Sequence, residues 1–124
     1  MARYQDVIAW KECHALAISV YRVTRPFPKS ELYGLTSQLR RAAISAPTNI
    51  VEGLARRGTN ELRYFLNIAL GSISEVEYLL QLSHELEFLP SVEWRAMCDQ
   101  QRRARFLTWQ LLRAVQTRSR RPSA

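Results

Sequence analysis

The chain has 124 residues and a net charge of +7, with ordinary apolar content and few glycines or prolines. That length suits one domain with its own core. Two cysteines are too few for a disulfide scaffold, the first residues lack the apolar run of a signal peptide, and no stretch approaches the roughly 20 apolar residues that cross a bilayer, so reduced, buried thiols and a cytoplasmic location are expected.

Helical apolar spacing begins at once. A first helix is expected over about residues 7–25, with Val7, Trp10, Cys13, Ala17, Val20 and Tyr21 on one side. Pro26 and Pro28 end it. A second helix, about 31–57, carries Leu32, Leu35, Leu39, Ala42, Ala43, Ala46, Ile50 and Leu54. It stops at Arg56-Arg57-Gly58-Thr59-Asn60, where Gly58 suits a C-terminal cap and Thr59 an N-cap. A third helix, about 60–86, carries Leu62, Phe65, Leu66, Ala69, Ile73, Val76, Leu79 and Leu86. Glu87 to Ser91 break the pattern, with Ser91 placed to cap a fourth helix over about 92–118 bearing Met97, Gln101, Ala104, Leu107, Leu111 and Val115. Long helices on short connections pack antiparallel. The expectation is an all-α, up-down-up-down four-helix bundle over residues 1–118 and a frayed basic tail at 119–124.

Some apolar residues fall outside the single stripe that such a bundle needs. Tyr64, Ile68, Gly71 and Tyr78 form a second band on the third helix, and Trp94, Phe106 and Trp109 flank the stripe of the fourth. Such bands mark subunit contacts, and a homo-oligomer is expected.

Catalytic and metal chemistry find little support. A di-metal bundle site needs Glu-x-x-His, but Lys11 and Gln81 stand three residues before the only histidines, His14 and His84. Cys13 and His14 diverge by about 100° on a helix and make a poor ligand pair. Gly53 to Thr59 lacks the lysine of a phosphate loop and follows a helix instead of a strand. Glu75 and Glu77 face different ways, and Asp6 and Asp99 lack an evident partner. No enzyme activity, cofactor or metal is expected.

The second helix carries an unusual load. Pro47 lies in its interior, at a cost of about 3 kcal/mol. Ala42, Ala43, Ser45 and Ala46 around it would let a neighbouring helix approach and support a kink. Asn49 and Glu52 share a face, with Arg56 one turn on. They suit either an exposed polar face with a helical ion pair or a partly buried network that fixes register or a subunit contact.

Charge divides the chain sharply. Residues 1–100 hold eleven basic and eleven acidic side chains; residues 101–124 hold Arg102, Arg103, Arg105, Arg113, Arg118, Arg120 and Arg121 and no acid. Arginine is the side chain best matched to phosphate, and this cluster is the candidate nucleic-acid contact. Phe106 and Trp109 can stack on bases but read first as packing residues.

Several segments in order carry a family resemblance. They are Asp6-Val7-Ile8-Ala9-Trp10-Lys11, Phe27-Pro28, Tyr33-Gly34-Leu35, Gln38-Leu39-Arg40-Arg41-Ala42, Pro47 through Asn49-Ile50-Val51-Glu52-Gly53, and Phe65 to Ser72 with Glu75 and Glu77. With them the chain resembles the 23S rRNA intervening-sequence proteins over about residues 4–86, fading beyond Pro90; Val51 replaces the family's usual alanine. The resemblance implies a homopentamer of four-helix bundles in which Gln38, Arg41, Pro47, Asn49 and Glu52 serve as a structural or oligomer signature. A related branch, the Avd accessory proteins of diversity-generating retroelements, associates with a reverse transcriptase and its template RNA. The expected function is thus binding of nucleic acid, RNA before DNA, or of a nucleic-acid-processing protein. The competing expectation is a protein-interaction scaffold with no nucleic-acid role.

Overall fold

A computed structural model describes residues 3–120, with side chains through Thr117. Four helices follow in order: α1 (Ile8–Thr24), α2 (Leu35–Ala55), α3 (Thr59–Glu85) and α4 (Ser91–Arg120). Short 3-10 turns at Tyr4–Asp6 and Lys29–Glu31 precede α1 and α2. Each helix packs against its two neighbours in the cycle α1–α2–α3–α4–α1. The α2–α3 pairs run in opposite senses along the two chains: Gln38 meets Glu75, Ser45 meets Ser72, and Gly53 faces Leu62 and Phe65. α2 and α3 are therefore antiparallel, as their short connection requires.

The core is one continuous cluster. Leu16 and Val20 of α1, Leu39 and Ile50 of α2, Leu66, Ile73 and Leu80 of α3, and Met97, Ala104 and Leu112 of α4 are all buried. Tyr21, Leu32 and Leu86, expected in the stripes, are exposed instead, and Leu16, Leu80, Thr108 and Leu112 take up core positions. Gln101 does lie in the core, where its amide makes no hydrogen bond with the protein. Cys13, also buried, meets Thr108 Oγ1 at 3.4 Å.

Helix ends depart from the sequence expectation in informative ways. α2 starts four residues late because residues 32–34 turn first, and the Glu31 carboxylate accepts the Leu35 N–H at 3.2 Å. Gly58 has extended backbone and stands before α3, so it is no left-handed C-cap, and Thr59 is already helical. Ser91 is likewise the first residue of α4, where the Pro90 carbonyl accepts the Trp94 N–H. The left-handed cap lies instead after α3, at Glu87 (φ 66°). The Phe88 N–H donates to Ser83 and the Glu87 N–H to His84, the paired bonds of a Schellman motif. His84 Nδ1 meets the Leu89 carbonyl at 3.0 Å and its ring stacks on Trp94, closing the corner between α3 and α4.

α2 remains helical through Pro47, which is buried together with Ala42, Ala43 and Ala46. Thr48 Oγ1 donates to the Ile44 carbonyl and Asn49 Nδ2 to that of Ser45, at 2.8 Å each. Ser45 Oγ accepts from Asn49 Nδ2 and from Ser72 Oγ, which ties α2 to α3. At the other end of the seam, a Cβ on Gly53 would stand 3.0 Å from Phe65 Cβ and Leu62 Cδ1.

Two substitutions test this account by chemical denaturation. Gly53→Ala presses a methyl group against Phe65 Cβ and Leu62 Cδ1, and the unfolding free energy should fall by about 1–2 kcal/mol even though alanine is the better helix former. Glu87→Gly removes a side chain from the left-handed region and should stabilise the protein by about 0.5–1 kcal/mol; an unchanged or lower midpoint would contradict the cap assignment.

Candidate nucleic-acid interface

Helical phase divides the arginine cluster of α4. Residues 102, 105, 106, 109 and 113 recur at steps of three or four and share one exposed face. Arg102, Arg105, Phe106 and Trp109 line a groove whose other wall is Leu70 and Ser74 of α3. Arg103 lies around the helix toward α1, where it pairs loosely with Glu12 at 3.8 Å. Arg118 and Arg120 fall in the last turn of α4, where side chains lie outside the described residues, and Arg121 lies wholly outside them.

The face is both basic and aromatic. Phe106 and Trp109 are 54% and 43% exposed, so they do not pack in the core of the single bundle. Their rings stack with centroids 6.3 Å apart and planes 27° from parallel, and the Arg113 guanidinium lies 5.1 Å from the indole centroid. Such a contact holds a guanidinium in place without neutralising it. Arg102 has one weak, exposed contact, to Asp99 at 3.8 Å. Arg105 and Arg113 form no ion pair among the described residues, and no acid follows Asp99 in the chain.

The polar residues of α2 do not converge on one site. Gln38 and Arg41 line a polar groove between α2 and α3 together with Tyr33, Ser45, Ser72 and Glu75. Gln38 reaches Glu75 at 3.4 Å, while Arg41 projects outward without an ion pair among the described residues. Tyr33, at the turn before α2, is 94% exposed. Pro47 faces the other way, into an apolar groove between α1 and α2 lined by Trp10, Ile18, Tyr21 and Ile44. Asn49 belongs to the half-buried Ser45–Ser72 network. Glu52 is exposed and forms no ion pair with Arg56, whose guanidinium instead lies over Phe65.

Arg40 is a functional-looking residue with a structural task. It donates to Thr24 Oγ1 at 2.9 Å and stacks over Tyr21, fixing the end of α1 on α2.

Among the described residues, no three His, Cys, Asp or Glu side chains stand close enough to share a metal ion. Both cysteines are free thiols; Cys13 is buried and Cys98 only half-buried. Burial pushes the Cys13 thiol up to about 11, with a smaller opposing effect from the Thr108 hydrogen bond. Burial raises Cys98 as well, against the pull of Arg102.

Comparison with known proteins gives a family and a fold. The family described as 23S rRNA-intervening sequence protein matches residues 5–115, so the likeness continues past Pro90 into α4 instead of fading there. Among solved structures, a protein of the S23 ribosomal protein family from Bacteroides thetaiotaomicron, described as of unknown function, superposes with a TM-score of 0.78. It is 18% identical, and the match covers 86% of this chain and 96% of that one. At that identity the likeness speaks for the fold alone. No curated protein matches the sequence.

The Cys13 environment makes a pH prediction. Above the ordinary thiol value of 9.0 the unfolded chain releases this proton, while the folded chain holds it to about 11. Folding stability should therefore fall as pH rises through that window, by roughly 2–3 kcal/mol from this group. Denaturation midpoints measured across that window should fall less in Cys13→Ala than in the parent; equal losses would show that Cys13 does not carry the effect.

Proposed function

The chain belongs to the 23S rRNA-intervening sequence protein family, and from that premise we propose a non-enzymatic, homo-oligomeric bundle whose α4 face binds nucleic acid. RNA is the favoured ligand over DNA, and a nucleic-acid-processing protein such as a reverse transcriptase is a partner compatible with the same role. The observation that carries this reading is the exposed face of Arg102, Arg105 and Arg113, a stretch of α4 from which acids are absent after Asp99. Arg103 contributes little because Glu12 stands beside it. Arg118, Arg120 and Arg121 extend the positive charge along the sequence.

Assembly belongs to the same proposal. Tyr64 and Tyr78 are exposed on α3 with Gly71 between them at seven-residue steps, and a Cβ on Gly71 would meet nothing within 4 Å. A tyrosine-flanked glycine lets a second copy's backbone come close. Five copies, the number that the family resemblance implies, would gather the arginine faces into a ring of positive potential. No helix among the described residues is long and apolar enough to cross a membrane; the proposed setting is the cytoplasm.

Binding to generic RNA over a range of salt concentrations tests the reading. Each phosphate neutralised should add about −0.7 to the log–log slope for a single strand. Replacing Arg102, Arg105 and Arg113 by Gln should weaken binding more than tenfold and flatten the slope by about 2. A second set, Arg118, Arg120 and Arg121 replaced by Ala, measures the share of the terminal arginines. Absence of binding at low salt, or binding indifferent to both sets, would overturn the nucleic-acid reading and leave the interaction-scaffold alternative. Light scattering should give a mass several times that of one chain, and a monomer would remove the assembly proposal.

A further inference from the structure

The α3–α4 groove combines two chemistries that duplex binding alone does not use together. Its arginines can neutralise phosphates in any nucleic acid. Its aromatic pair is exposed, and within a nucleic acid it is unpaired bases that are free to stack on such rings. Phe106, Trp109 and the Arg113 guanidinium form a column along α4, with Arg105 beside it and Leu70 and Ser74 as the opposite wall. The column is about 10 Å long by helical rise.

We propose that this groove is a stacking platform for single-stranded RNA, in which unpaired bases continue the Phe106–Trp109–Arg113 column while Arg102 and Arg105 contact the flanking phosphates. This rests on the nucleic-acid reading above and adds strand state and the residues that sense it. Charge favours this occupant over a second copy docked through either aromatic groove. The groove on the opposite side of the bundle, between α1 and α2, is also apolar and aromatic, but its charged lining is Arg22 and Arg25 with no acid. Docking one face on the other would bring arginine against arginine, and pairing the α4 face with itself would do the same. A phosphate chain removes that repulsion. Stacking on exposed aromatics is tolerant of sequence, so little base preference is expected.

Phe106→Leu and Trp109→Leu keep an apolar side chain and all the arginines while removing the ring faces. With a short, non-pairing oligoribonucleotide, each should weaken binding by about fivefold or more, as loss of one stacked base implies. Binding of an RNA duplex should stay within about twofold, and the salt slope should not move. Trp109→Phe should restore most of the single-strand affinity, and wild-type indole fluorescence should be quenched by the oligonucleotide but not by the duplex. Both side chains are exposed, so unchanged circular dichroism is expected in every variant. Equal losses for single strand and duplex, or none for either, would overturn the platform while leaving the arginine reading intact. A fall in mass in the Leu variants would assign the rings to a subunit contact and also overturn it. Failure of the wild-type protein to bind any RNA would refute the broader reading first.

Discussion

Close approach of α2 and α3 is the constraint on which the rest of the bundle depends. It requires a helix face built from Ala42, Ala46 and Gly53, and the side chains opposite leave no room for more. The bond from Ser72 to Ser45 lies in the same seam and is meaningful only at that separation. Given this seam, the three-residue link between α2 and α3 suffices, and α1 and α4 close the cycle around a core in which Leu39, Ile50, Leu66 and Ile73 are fully buried. Larger residues on α2 would hold the helices farther apart and leave part of that core unfilled.

Periodicity made the helices visible because each buries one continuous stripe, and prolines marked two of the three breaks. The ends were harder to read. Gly58 looked like the glycine of a helix stop, yet the left-handed position fell to Glu87, whose side chain gives no sign of it. Backbone bonds to Ser83 and His84 hold that cap, and sequence patterns do not record backbone bonds. Tyr21 also looked like part of a stripe, but the Arg40 guanidinium over its ring provides another environment at the surface. Cation–π contacts between helices depend on an orientation that spacing within one helix cannot supply.

The candidate interface was readable as charge and unreadable as shape. Counting showed that the excess arginines lie after residue 100, but not that Arg103 turns toward Glu12 while Arg105 and Arg113 remain without ion pairs among the described residues. Phe106 and Trp109 pose the same difficulty. Their apolar character predicts burial, and only the position of α3 determines that they border an open groove. The signature residues of α2 teach the complementary lesson. Buried Pro47 and half-buried Asn49 serve the bundle, whereas Gln38, Arg41 and Glu52 are exposed. One sequence segment therefore mixes architectural and surface roles.

Pro47 also bears on how the chain folds. α2 lacks one backbone donor at its centre, and Thr48 and Asn49 direct side-chain bonds at carbonyls of the preceding turn. Alone, such a segment is a poor helix, because an interior proline opposes propagation and the first turn is costly to form. Its helical state depends on the company of α1 and α3, so secondary and tertiary structure must appear together here. α3 and α4, by contrast, are long and free of interior proline. The Pro47 segment thus couples the two levels of structure: α2 is helical only in so far as the bundle around it is formed.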